Sequence, residues 1–161
     1  VPCLPKVVAV VGGKHSGKTT IIEQLISEFK RRGYHVGTIK EMVRIPTLDT
    51  PQTETDRYTQ AGAEVIAAVP RTETVIFIKK RLGVAEILPY FEGLDFVFLE
   101  GFESEDVFCR VIAAKTVDEA QSFLGKNVLA VSGVIANSEL ASGVAVLGVP
   151  VLNVLTQSAQ L

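Results

Sequence analysis

The chain holds no tryptophan, one methionine, two cysteines and two histidines in 161 residues. Cys3 and Cys109 lie far apart without C-x-x-C spacing, so the sequence encodes neither a zinc ribbon nor a dithiol redox pair. Cys109 adjoins the apolar Val111-Ile112-Ala113-Ala114 and reads as a core or edge residue. Two thiols with no disulfide pattern favour a reducing compartment, and a soluble cytoplasmic protein is expected. No apolar run approaches the roughly 20 residues that span a bilayer, so no membrane association is expected. The segment Val1-Pro2-Cys3-Leu4-Pro5-Lys6 has neither the basic start nor the apolar stretch of a secretory signal. Basic runs are scarce as well. Sixteen Lys and Arg are scattered against eighteen Asp and Glu, for a net charge of −2, which argues against a nucleic-acid partner. The one cluster, Lys30-Arg31-Arg32, falls where a helix should end and suits the negative end of its dipole. There is no repeat, low-complexity tract or clear linker. With 47% hydrophobic residues the chain is read as a single domain, residues 1–161.

What is present in quantity is apolar β-branched sequence, and directly after its first run comes a glycine-rich octet. Val7-Val8-Ala9-Val10-Val11 leads into Gly12-Gly13-Lys14-His15-Ser16-Gly17-Lys18-Thr19, which fits G-x-x-x-x-G-K-[ST]. Gly12 and Gly17 permit backbone angles that let successive N–H groups turn inward on a phosphate. Lys18 supplies a positive charge to the β- and γ-phosphates, and the Thr19 hydroxyl can ligate a magnesium ion. The following helix adds the free N–H groups of its first turn. The expected nucleotide-binding set is therefore Gly12, Gly13, Lys14, His15, Ser16, Gly17, Lys18, Thr19 and Thr20. His15 is read as a loop residue with its side chain outward.

The helix should run from about Gly17 to Arg32 on an apolar stripe of Ile21, Ile22, Leu25, Ile26 and Phe29, with Gly33 as its stop. His35 to Lys40 reads as a second strand, parallel to the first. Thr50-Pro51 reads as a helix start, with Gly62 as the stop. Val65 to Val69 and Thr74 to Ile78 form a short antiparallel hairpin, followed by a weak helix from Val84 to Tyr90. Further strands are expected at Phe96 to Leu99, Val111 to Ala114, Val128 to Val131 and Val151 to Val154. A capping box at Thr116 to Glu119 opens a helix reaching about Leu124, and Leu155 to Leu161 read as the start of a last helix. This pattern predicts a three-layer α/β fold of the P-loop NTPase type, with a mainly parallel sheet.

Ligands in such sheets sit at the carboxyl ends of strands. Glu100 ends a buried strand and is assigned to orient magnesium, directly or through water. Asp95 starts the same strand, about 16 Å away at 3.3 Å per residue, and is read as a turn residue. Lys40, Glu41 and Asp49 follow the second strand and could reach the γ-phosphate or the metal. The assigned catalytic set is Lys18, Glu100 and Asp49, with Thr19, Glu100 and Asp49 as metal ligands. Glu54 and Asp56 suit a helix N-terminus as well as a site, and Arg57 reads as a solvated surface cation. Ala114-Lys115-Thr116-Val117-Asp118 approaches the guanine-reading [NT]-K-x-D pattern, but has one residue too many and lacks the Asn or Thr. The residues themselves reach a Mg–nucleoside triphosphate and leave the base open.

Several separated pieces, in order, resemble the MobB family. They are the phosphate loop; Arg32-Gly33 leading to Gly37-Thr38-Ile39-Lys40; Asp49-Thr50-Pro51-Gln52-Thr53-Glu54-Thr55; Ala61-Gly62-Ala63; and Asp95 through Glu100-Gly101-Phe102. The chain departs from that family at Glu41, where a histidine is usual, and at Gln52, Thr53 and Glu54, which replace Gly, Lys and Asp. The resemblance implies a homodimeric, GTP- and Mg2+-binding adaptor of molybdopterin-guanine dinucleotide biosynthesis with weak GTPase activity. It also implies a MobA-type nucleotidyltransferase as partner and a molybdopterin-containing substrate. The main competing expectation is a small-molecule P-loop kinase using ATP; scattered Arg44, Arg57 and Arg71 offer it no arginine-rich lid. A metal-insertion chaperone GTPase would need a His/Cys cluster that the chain lacks.

Overall fold

A computed structural model of the chain describes residues 4–43, 53–137 and 147–157. It divides into two compact units, Val1–Glu41 with Leu88–Leu161, and Met42–Ile87.

The larger unit is built on a parallel five-stranded sheet. Its strands are β1 (Lys6–Val11), β2 (Val36–Lys40), β5 (Phe96–Glu100), β6 (Cys109–Ala113) and β7 (Val128–Ser132), in the order β2-β5-β1-β6-β7. The first and second strands are parallel as expected, but β5 lies between them and pairs with both. Ala9, Val10 and Val11 of β1 and Val97, Phe98 and Leu99 of β5 are buried. That two-sided burial is why these strands read as continuous apolar runs rather than alternating ones. Cys109 opens β6 and is exposed, so of the core or edge place suggested by the sequence the core is excluded.

Helix α1 (Lys18–Arg31) returns the chain from β1 and buries Ile21, Ile22 and Leu25 against Val10, Phe98 and Val111. Ile26 and Phe29 complete the stripe half-buried, and the Phe29 ring meets Phe96 edge-on at 4.6 Å. Gly33, at φ +87°, closes the helix through a pair of bonds: its N–H donates to the Lys30 carbonyl, and the Tyr34 N–H donates to that of Phe29. This is the Schellman arrangement, with the Phe29 and Tyr34 rings packed at its base, 5.8 Å apart. The basic cluster does more than meet the dipole. Arg31 and Arg32 both donate to Glu28, which is covered on the inner side of the last turn. These bonds, Arg31 first, hold the Glu28 carboxyl down to about 2.

Helix α4 (Val117–Phe123) starts at Thr116, whose hydroxyl accepts the Glu119 N–H. Of the expected Val151–Val154 strand only a single parallel bridge, Val131 to Val151, is formed. Val154 already begins α5 (Val154–Gln157), held by Asn153. Asn153 accepts the Leu155 N–H through its side chain and so turns the chain into helix before a ladder can extend.

The smaller unit contains α2 (Glu54–Gln60), the antiparallel pair β3 (Val65–Ala68) and β4 (Val75–Ile78), and α3 (Val84–Ile87). Helix α2 begins at Thr53, whose side chain accepts the Asp56 N–H, three residues later than the expected Thr50 cap. Thr50 and Pro51 lie outside the described residues. Gly62 follows its end as expected. The weak helix after β4 is one α-turn, continued in the larger unit by a 3-10 turn, Leu88–Phe91.

Candidate functional site

The β1–α1 turn sits at the carboxyl end of the parallel sheet, next to the ends of its neighbours β5 and β6. Gly12 leaves β1 at φ +143°, with its α-carbon packed on the Ala113 carbonyl oxygen; a side chain there would collide with β6 backbone. Gly17, at φ +101°, precedes α1, and no side chain caps that helix. Its first N–H groups are left for an external anion. Between these glycines Ser16 is fully buried, and its hydroxyl donates to the Gly13 carbonyl at 2.9 Å, holding the turn closed. His15 is exposed at φ +58°, as a loop residue should be.

Lys18 folds over the turn. Its Nζ donates to the carbonyls of Gly12, at 2.6 Å, and Gly13, at 2.5 Å. These backbone oxygens hold the ammonium at the mouth of the loop, from which it can pivot to a phosphate. Thr19, one residue on, donates its hydroxyl to Glu100 Oε1 at 3.1 Å. Glu100 is brought there by register: it is the Cα partner of Val10 in β1 and of Lys40 in β2. With Phe96 and Phe98 it occupies the β5 face that packs on α1, so its carboxylate reaches the start of that helix. Lys40 Nζ also contacts Glu100 Oε1, at 2.9 Å, and the Glu100 side chain is only 13% exposed.

A cleft of about 290 Å³ opens over these groups, lined by His15, Ser16, Gly17, Lys18, Thr19, Thr20, Glu100 and Val134. It lies near the lower bound for small-molecule pockets. Thus the structure brings Lys18, Thr19 and Glu100 together as the sequence suggested. Asp49, the third assigned acid, lies outside the described residues. Asp95 accepts the His35 N–H at the opposite end of its strand, in the turn role expected of it. Glu54, Asp56 and Arg57 belong to the smaller unit. Among the described residues no three His, Cys, Asp or Glu side chains gather as a metal site.

Two braces of the loop were not legible. Lys115, at the end of β6, donates from Nζ to the Lys14 carbonyl at 3.0 Å. Glu119 does not complete the expected reciprocal cap. Its carboxylate accepts the Lys115 N–H at 2.7 Å and rests against Gly13. The lysine of the imperfect Ala114-to-Asp118 motif therefore supports the phosphate loop. Glu41, where the resembled family has histidine, accepts the Phe102 N–H at 3.0 Å and ties the ends of β2 and β5 together. For Lys115 and Glu41 the signal was position after a strand end, which narrows candidates without choosing among them; Glu119 lies in α4 and carried no such signal.

Comparison with known proteins bears on the family and the fold. The family model for molybdopterin guanine dinucleotide synthesis protein B, MobB, matches residues 7–134. A Bacillus subtilis (strain 168) protein named a probable molybdopterin-guanine dinucleotide biosynthesis adapter protein is 27% identical over 129 residues, covering 78% of this chain and 74% of that one. A Methanocaldococcus jannaschii protein named a putative molybdopterin-guanine dinucleotide biosynthesis adapter protein is 32% identical over 100 residues, 61% of this chain; the match spans only 41% of that longer relative. Among solved structures, Bacillus subtilis MobB superimposes with a TM-score of 0.68 at 20% identity, covering 95% of this chain and 91% of that one. A likeness at that identity speaks to the fold.

Proposed function

The chain belongs to the MobB family, and from that premise we propose that it binds Mg–GTP at the phosphate loop and acts as an adapter in molybdopterin-guanine dinucleotide biosynthesis. The Thr19–Glu100 hydrogen bond carries the site reading. Two oxygens each about 2.1 Å from one Mg2+ and cis to each other lie about 3 Å apart, and Thr19 Oγ1 and Glu100 Oε1 are 3.1 Å apart. The pair fits a magnesium ion, as two of its ligands or as one ligand and a partner of its bound water. When bound, the metal offsets charge on the β- and γ-phosphate oxygens.

The chain's own groups do the rest. Backbone N–H groups from Gly13 to Thr20 face the phosphates, helped by the dipole of α1. Lys18 exchanges the Gly12 and Gly13 carbonyls for phosphate oxygens. Lys115 and Glu119 keep the loop from collapsing when Lys18 leaves. Hydrolysis is slow on this reading, because Glu100, a carboxylate lining the cleft, is committed to the metal side of the site beside Thr19 rather than free to take a proton from water. A slow enzyme suits an adapter whose output is its nucleotide state, provided GTP and GDP favour different conformations. The proposed partner is a MobA-type nucleotidyltransferase that attaches GMP to molybdopterin, and the proposed assembly is a homodimer.

Equilibrium binding of GTP and ATP, with and without Mg2+, tests this. Preference for Mg–GTP with slow turnover is expected, together with capture of the nucleotidyltransferase that depends on GTP. Rapid ATP consumption on adding a small acceptor would replace the adapter by a kinase, and absence of nucleotide binding would end the proposal.

A further inference from the structure

Glu100 Oε1 receives two donors at once, the Thr19 hydroxyl and the Lys40 ammonium. The oxygen assigned above to the metal side of the site is thus already matched by a cation belonging to the protein. Parallel pairing of β2 with β5 sets up this arrangement, since Lys40 and Glu100 are Cα partners and stand side by side on the same face. As a structural staple the pair is weak. The Lys40 side chain is 49% exposed, and half-exposed ion pairs contribute little to stability in water and salt. As a device at a phosphate site it is well placed. Lys40 shares one carboxylate oxygen with the hydroxyl that takes the metal, and the metal in such sites bridges the β- and γ-phosphates. A γ-phosphate on that metal would come within reach of the Lys40 ammonium, 2.9 Å from the same Glu100 oxygen.

We propose that Lys40 reads the terminal phosphate: it rests on Glu100 in the absence of a triphosphate and transfers to the γ-phosphate when one binds, freeing Glu100 for the metal. The proposal rests on the Mg–GTP reading above and deepens it. Metal recruitment at Glu100 and recognition of the third phosphate become one event, because the same ammonium gates both. A diphosphate offers Lys40 no oxygen at that position, so in its presence the Lys40–Glu100 pair persists. Discrimination between GTP and GDP, which an adapter requires, thereby resides in a strand-end residue outside the phosphate loop. The ends of β2 and β5 change partners with the nucleotide, while Glu41, hydrogen-bonded to Phe102, links them mechanically.

The test is calorimetric binding of Mg–GDP and of a non-hydrolysable Mg–GTP analogue to wild type, Lys40→Gln and Lys40→Arg, with thermal unfolding of each variant. Lys40→Gln should weaken the triphosphate by about tenfold, one charge-assisted hydrogen bond net of the ion pair given up. It should leave the diphosphate within about threefold and raise the apparent Mg2+ affinity of the nucleotide-free protein. Lys40→Arg should restore most of the preference. A folded Lys40→Gln variant that keeps the wild-type ratio of the two affinities, or loses both equally, overturns the proposal and leaves the Mg–GTP reading standing. Wild-type protein that binds neither nucleotide overturns both.

Discussion

Replacing Gly12 by alanine tests the close approach on which the phosphate loop depends. Two costs should add. At φ +143° an L-residue is strained by about 1–3 kcal/mol. The new methyl would also overlap the Ala113 carbonyl oxygen and sit 3.0 Å from Ser16 Oγ. Relief requires the tips of β1 and β6 to separate, an overpacking cost of roughly 1–3 kcal/mol. Gly33→Ala is the matched control, because Gly33 also has positive φ, +87°, but nothing lies within 4 Å of the added carbon. Its expected cost is the backbone strain alone, about 1–2 kcal/mol. For a chain of this size each kcal/mol lowers Tm by about 2–4 °C. Gly33→Ala should therefore melt a few degrees low and Gly12→Ala roughly 10 °C low. Urea titrations should give the same order. If Gly12→Ala is no less stable than Gly33→Ala, the loop is not pressed against β6 and the packing argument fails.

Lys18→Ala should leave the thermal transition within a few degrees of wild type while abolishing triphosphate binding by calorimetry; full retention of affinity would dismiss the loop as the phosphate site. Arg31, and then Arg32, hold Glu28 at about 2, below its usual 4.5. The stabilisation from that lowered value is complete above about 4.5 and drains away as pH falls toward 2. Glu28→Gln should flatten the loss of stability across that window, and an unchanged acid limb in urea titrations would count against the triad. Thr53→Ala removes the N-cap of α2 and should cost about 1 kcal/mol, seen as faster amide exchange in that helix; unchanged exchange would deny the cap its role. Gly37→Ala places a carbon 2.5 Å from the Phe91 ring and 2.8 Å from Leu94, and should destabilise by about 1–3 kcal/mol in urea, whereas a neutral effect would mean that β2 shifts freely.

The strands and α1 were legible because burial imposes a pattern on composition. Both faces of β1 and β5 are covered, so residues 7–11 and 96–99 are apolar without a break, while α1 is covered on one side and shows a 3.6-residue stripe. The residues after Val151 misled because a short apolar run carries no period, and Asn153 turned the chain before a ladder could form. The start of α2 was displaced for a related reason. Thr50 and Thr53 are both acceptable caps, and only backbone geometry distinguishes them. Glu28 was invisible as a covered carboxylate, since its cover consists of two arginines that sequence alone assigns to solvent.

Local chemistry written in the chain settled the β1–loop–α1 unit. Glycines, a lysine and a threonine at set spacing, and an apolar run on either side suffice to mark it, because the loop closes on itself: Lys18 donates to Gly12 and Gly13, and Ser16 to Gly13. The sequence also marked Glu100 as a strand-end acid. That Thr19, Lys40 and Glu100 share one oxygen, and that Lys115 and Glu119 brace a loop about one hundred residues earlier, was decided by sheet order and register. Those depend on β5 inserting between β1 and β2 and on β6 pairing with β1, contacts between distant segments that the local sequence of no one strand specifies.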